Sequence, residues 1–181
     1  MDRHDWLRAF ACAGLCAALN WQTSKFSLGG VSFHPGLAAV TFAGAAFGPA
    51  SGFIAGAAGT AMTDLLTGSL WWNWDVAMGL SGLVAGLWYR RRSRAGTAPI
   101  TWHDLMLLLG HAVIGNVVAI YAGGLSDMAM GAPYATAIGT WALPAALSNA
   151  LMGVLAVPFV LLAWRGQVPR GVDGQRCPPR V

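Results

Sequence analysis

The sequence is poor in charge. Only 10% of its 181 residues are charged, and none of them is glutamate. A soluble domain carries about 25% charged residues, so this chain lacks the polar surface that would cover a globule in water. Hydrophobic residues make up 56% of the chain. The composition therefore excludes an ordinary soluble domain and indicates an integral membrane protein.

The sequence also lacks a disulfide framework and a metal-binding cysteine pattern. Cys12 and Cys16 lie in an apolar run and Cys177 in a polar tail, so we interpret all three as free thiols. No HExxH, GxSxG or Walker phosphate-binding loop is present. We therefore expect no metal, no cofactor and no enzymatic activity, and a transport role would need an energy source on another chain.

Six apolar runs predict six helices, at 6–21, 33–48, 50–67, 76–90, 103–122 and 142–164. Most of them approach the ~17–25 residues that cross ~30 Å of hydrocarbon. The fold class we predict is an all-α, six-transmembrane-helix bundle formed by residues 1–166. The remaining residues, 167–181, contain three prolines and no apolar period, and we predict a disordered tail there.

The basic residues indicate the orientation of this bundle. Those on one predicted side are Arg3, Arg8, Arg90, Arg91, Arg92, Arg94, Arg165, Arg170, Arg176 and Arg180, and only Lys25 lies on the other. Because basic residues concentrate on the cytoplasmic side, we predict cytoplasmic termini for a multi-pass protein of the cell membrane. This topology explains the net charge of +4, so we expect no nucleic-acid partner. The outward loops are then 22–32, 68–75 and 123–141.

The N-terminus admits a second interpretation. Arg8 and the alanine-rich run after it also resemble a secretory signal, with a cleavage site near Ala17. Removal of that segment would leave five crossings and an N-terminus outside.

The second outward loop contains an unusual cluster: Trp71, Trp72, Asn73, Trp74 and Asp75. Tryptophan favours the membrane–water interface, so an interfacial belt is one interpretation, and an acid at a helix start can serve as a cap. Three indoles beside an amide and a carboxyl also suit a planar heteroaromatic ligand. We favour ligand contact and name these five residues as the main candidate site.

Further polar or aromatic residues lie in or near the predicted helices. The second set of candidates is Asp64, Asn116, Tyr121, Trp141 and Asn149. An acid at membrane depth normally faces the bundle interior and marks a ligand or ion pathway. Buried amides often bond another helix, so a structural role for the two asparagines is an equal alternative.

The first helix carries Ala9, Ala13 and Ala17 at a spacing of four. Small residues at this spacing let two helix backbones approach closely in lipid. The spacing alone fits either packing inside this bundle or docking onto another membrane subunit.

The stretch "FHPGLAAVTFAGAAFGPASGFIAGAAGTAMTDLLTGSLWWNWDVAMGLSGLVAGL", residues 33–87, resembles the substrate-binding S components of energy-coupling factor (ECF) vitamin transporters. The likeness is to the riboflavin-type group and rests on Pro35-Gly36, on Phe47-Gly48-Pro49 with Gly52, and on the pattern from Asp64 to Gly86. It covers about a third of the chain.

This resemblance implies a six-helix bundle that captures a vitamin from outside. It also implies docking through the alanine face of the first helix onto a membrane coupling subunit that carries two ATPases, followed by rotation in the membrane to release the ligand inward. We therefore predict a subunit that binds riboflavin or a related flat heteroaromatic such as thiamine. The alternative is a membrane sensor or scaffold that binds a partner protein.

Overall fold

The computed structural model describes residue 1 and residues 3–23, 27–28, 31–32, 34–95 and 100–167. In these ranges the chain forms α-helices, one π-helix and a short antiparallel hairpin that pairs Ser27 with Ser32. The elements are α1 (Arg3–Thr23), β1 (Ser27–Leu28), β2 (Val31–Ser32), α2 (Gly36–Phe47), α3 (Pro49–Thr67), α4 (Trp72–Arg94), α5 (Trp102–Ala129), the π-helix (Ala135–Ala142) and α6 (Leu143–Gln167).

A single residue joins α2 to α3. Gly48 has φ +106°, a backbone conformation that favours glycine, and Pro49 begins α3 at a position where its missing N–H costs nothing. Gly48 and Pro49 therefore make a tight connection between α2 and α3.

Glycines let α2, α3 and α4 cross at backbone contact. A Cβ on Gly44 or Gly52 would meet the carbonyl oxygen of Gly82, and a Cβ on Gly82 would meet the carbonyl oxygen of Gly52. In lipid such close approach supplies the packing that drives helix association. These three helices form the central layer against which α1, α5 and α6 pack.

The bounds of α4 and α5 differ most from those predicted. α4 begins at Trp72 rather than at residue 76, because the Trp71 carbonyl already accepts from the backbone N–H groups of Trp74 and Asp75. α5 continues past Gly123 and Gly124, two glycines that pack closely against other elements and do not form a turn. The predicted outward loop 123–141 is therefore wrong, and only residues 130–134 connect α5 to the π-helix.

Among the described residues, two segments are long and apolar enough to cross a membrane by length and composition, Trp102–Ala129 and Ala135–Trp164. α6 extends to Gln167, the first residue of the predicted tail. Residues 168–181, like Lys25 and the Gly29-Gly30 pair of the first predicted loop, lie outside the described residues.

Candidate ligand-binding site

One cavity lies at the end of the bundle where α1 and α3 finish and α4 and α6 begin. Its volume is about 560 Å³, within the range of about 300–1,000 Å³ that is typical of small-molecule sites. All six α-helices contribute to its wall. The lining residues are Asn20, His34, Leu37, Thr60, Thr63, Asp64, Trp71, Trp74, Asp75, Met78, Ile120, Thr140, Trp141, Pro144, Ala145 and Asn149.

Three indoles form much of the aromatic wall: Trp71, Trp74 and Trp141. Trp74 is fixed at its polar edge, because its Nε1 donates to Oδ2 of Asp127 at 2.7 Å. The other oxygen of Asp127 accepts from Nδ2 of Asn73 at 2.7 Å. One buried carboxylate on α5 thus holds the first turn of α4 and sets the orientation of an indole that faces the cavity.

Two carboxyl groups also line the cavity. Asp64 on α3 accepts from the backbone N–H of Trp71 at 2.7 Å, which fixes the connection between α3 and α4. Asp75 is only 6% exposed and lies in the first turn of α4. Both side chains line the same cavity.

His34 and Asn20 close the side of the cavity next to α2. Asn20 is buried, and its Oδ1 accepts from the backbone N–H of Gly36 at 2.8 Å, which ties α1 to the start of α2. A Cβ at Gly36 would collide with Asn20 and with the carbonyl oxygen of Cys16. Burial lowers the pKa of His34 below its usual value, which favours the uncharged imidazole.

The π-helix supplies the last part of the wall. Thr140 and Trp141 lie on it, and Asn149 follows on α6, where its Nδ2 lies 3.9 Å from the sulfur of Met78. π-helical turns are rare and occur frequently at functional sites. Among the described residues, no group of three His, Cys, Asp or Glu side chains is arranged to hold a metal ion.

The structure brings six of the ten predicted site residues together. These are Asp64, Trp71, Trp74, Asp75, Trp141 and Asn149.

The other four predicted residues do not line this cavity. Trp72 is 60% exposed on the outer face of α4. Asn73 is buried, and its Nδ2 donates to the Asp127 carboxylate on α5. The Oδ1 of Asn116 accepts from the Ser81 hydroxyl at 2.8 Å, so this amide joins α4 to α5. Tyr121 packs beside the apolar core.

Sequence reasoning missed several residues that build the site. They are Asn20, His34, Thr60, Thr63, Thr140 and Asp127. The spacing of Thr60, Thr63 and Asp64 on one helical face was a usable signal, since residues three and four apart are neighbours on a helix. Asp127 could not be identified as a site residue from the sequence, because the segment around it is predicted to be a loop.

The alanines of the predicted docking face, Ala9, Ala13 and Ala17, pack inside the isolated chain, and docking itself stays a prediction. All three alanines are buried, with Ala9 and Ala13 at 0% exposure. Their face is covered by α3, where a Cβ on Gly59 would meet the Ala13 carbonyl oxygen. The small residues therefore allow close packing inside the bundle, the alternative that their spacing left open.

Comparison with known proteins gives a family match and several similar relatives. Residues 8–165 match the family described as ECF-type riboflavin transporter, S component. Two similar relatives are UPF0397 proteins of Streptococcus pneumoniae, from strain Hungary19A-6 and from serotype 19F strain G54. Each is 32% identical over 130 residues, which cover 68% of this chain and 69% of the relative.

Proposed function

Because the chain belongs to the ECF-type riboflavin transporter S component family, a family of membrane-embedded, substrate-binding transporter subunits, we propose that it captures a vitamin from outside the cell. The ligand we propose is riboflavin or a related flat heteroaromatic such as thiamine. The subunit would then deliver this ligand inward after docking on a coupling subunit with two ATPases.

The observation that carries this proposal is the cavity lined by Trp71, Trp74 and Trp141. Flat indole faces beside carboxyl, hydroxyl and amide groups combine apolar contact area with a few polar groups that orient a ligand. A planar heteroaromatic compound has the matching surface, because its ring faces are apolar and its edge carries hydrogen-bonding atoms.

The placement of charge supports an outward-facing site in a six-crossing protein of the cell membrane. α1 begins with Arg3 and Arg8, and α4 ends with Arg90, Arg91, Arg92 and Arg94. The cavity lies at the opposite ends of both helices. If the basic ends are cytoplasmic, as the positive-inside rule predicts, the cavity opens toward the outside and both termini lie inside.

The proposed coupling partner rests on the family to which the chain belongs. No nucleotide-binding loop is present in the chain, so energy from ATP would have to come from other subunits. We propose a membrane coupling subunit with two ATP-binding subunits as those partners, which bind a surface other than the buried alanine face of α1.

A fluorescence titration of the purified full chain in detergent tests this function. Riboflavin, thiamine, biotin and other vitamins are added one at a time while tryptophan emission is followed. We expect saturable quenching by one compound, weakened about tenfold or more in Trp74→Ala. Trp72→Ala is the matched control, because that neighbouring indole lies outside the cavity, and its affinity should equal that of the unmodified chain.

Two results would contradict the proposal. Equal affinity in Trp74→Ala and in the unmodified chain would show that the ligand binds elsewhere. The absence of binding by every vitamin, in protein that unfolds cooperatively on heating, would favour the sensor or scaffold interpretation.

A further inference from the structure

We infer that the cavity selects a positively charged ligand, an aromatic or heteroaromatic cation rather than a neutral ring. This inference rests on the proposed function and specifies the class of compound that the same site binds. It depends on the carboxylates of the cavity, on the absence of basic side chains from its described wall, and on its indole faces.

The first observation is the pair of acids. Asp75 is 6% exposed and Asp64 is partly buried, and both line one cavity. Removing a carboxylate from water is costly, so a buried acid either takes up a proton or is compensated by an opposite charge. The Asp64 carboxylate accepts a hydrogen bond from the backbone N–H of Trp71, which is a neutral donor.

The second observation is that no protein cation balances these acids in the part of the wall that the structure describes. The described lining contains neither Lys nor Arg, and burial lowers the pKa of its one histidine, His34. On α4, Asp75 and Arg90 are separated by fifteen residues, roughly 22 Å along the helix axis. A third carboxylate, Asp127, lies behind Trp74 and adds negative charge at the same end.

The third observation is the aromatic wall. The faces of Trp71, Trp74 and Trp141 carry the negative side of an indole quadrupole, and tryptophan is the strongest of the aromatic side chains in attracting a cation. A flat cation gains from this attraction and from the carboxylates at once. A neutral ring of the same shape keeps only the stacking contact and leaves two acids uncompensated.

A matched pair of ligands tests the inference. Thiamine carries a permanent positive charge on its thiazolium ring, and its analogue with a neutral thiophene ring has nearly the same shape. Calorimetric titration of the full chain should give an affinity for thiamine about tenfold or more above that for the analogue. In Asp75→Asn this ratio should fall toward one, and Asp64→Asn should lower it as well.

Asp104→Asn is the control, since this acid lies in the first turn of α5 at the other end of the bundle. Its ratio of affinities should equal that of the unmodified chain. Thermal unfolding is measured for each variant, so that if Asp75→Asn does not fold, Asp64→Asn still decides the question.

The outcomes separate this inference from the proposed function. Equal affinities for thiamine and its neutral analogue, an unchanged ratio in both variants, or tight binding of riboflavin with none of thiamine would overturn the charge selectivity and leave vitamin capture standing. The absence of binding by thiamine, its analogue, riboflavin and the rest of the vitamin panel, in folded protein, would overturn both.

Discussion

The indole nitrogen of Trp74 donates a 2.7 Å hydrogen bond to the carboxylate of Asp127, 53 residues further along the chain. The acceptor is buried on α5 and the donor lies in the first turn of α4 beside the cavity. A carboxylate outside the cavity wall can therefore influence ligand affinity, because it sets the angle of an indole that lines the cavity.

Asp127→Ala should lower both the thermal stability and the ligand affinity of the protein. The change removes the shared acceptor of the Asn73 and Trp74 donors. Each buried donor that loses its acceptor lowers the free energy of unfolding by about 1–3 kcal/mol. A double-mutant cycle with Trp74→Phe, which also removes the indole donor, checks the mechanism by unfolding and titration. The two changes should not add, since they disrupt one interaction. Strict additivity would mean that Asp127 acts on something else.

For the hydrogen bond between Ser81 and Asn116 we expect an effect on stability and none on ligand affinity. Because this amide lies away from the cavity and joins two helices, Asn116→Ala should destabilise the bundle by about 1 kcal/mol and leave ligand affinity unchanged. The measurement is a thermal unfolding curve paired with a titration of the same sample. A large loss of affinity at unchanged stability would indicate that Asn116 contributes to ligand binding.

Gly82 and Gly110 form a matched pair for testing the crossing of α3 and α4. A Cβ on Gly82 would meet the Gly52 carbonyl oxygen, whereas a Cβ on Gly110 would meet nothing within 4 Å. Gly82→Ala should therefore unfold or strongly destabilise the protein, because backbone atoms cannot move aside as a side chain can. Gly110→Ala should be neutral or stabilising by up to about 1 kcal/mol, the usual gain in helix propensity. Comparable melting temperatures for the two variants would contradict the close crossing.

The central helices could be predicted from the sequence because their signals are local. The apolar runs, the turn at Gly48-Pro49 and the dense glycines of α2 to α4 each depend on residues close together in the chain. The start of α4 was misplaced because polar Asn73 and Asp75 resemble a loop, although their side chains are buried by contacts with distant residues.

The cavity was harder to predict, because its wall comes from all six helices. Composition identified the indoles and the acids, which are conspicuous in an apolar chain. Composition cannot distinguish Trp72 from Trp74, since which of two neighbouring indoles faces inward depends on the rotation of α4 and on the acceptor that Asp127 provides. Asn20 and His34 are likewise brought to the site by the packing of α1 against α2.

Ala13→Leu should destabilise the isolated subunit. Ala13 is fully buried on the face of α1 that packs against α3, and added methylene groups in a packed core cost about 1–3 kcal/mol. Ala11→Leu is the control, because Ala11 lies two residues away on the exposed face of the same helix and a larger apolar side chain there meets only lipid or detergent. Melting temperatures of the two variants, measured without any partner subunit, should differ by several degrees. If Ala13→Leu melts like the unmodified chain, its side chain lies on the surface, and docking of another membrane subunit onto the alanine face again becomes the better explanation of the spacing.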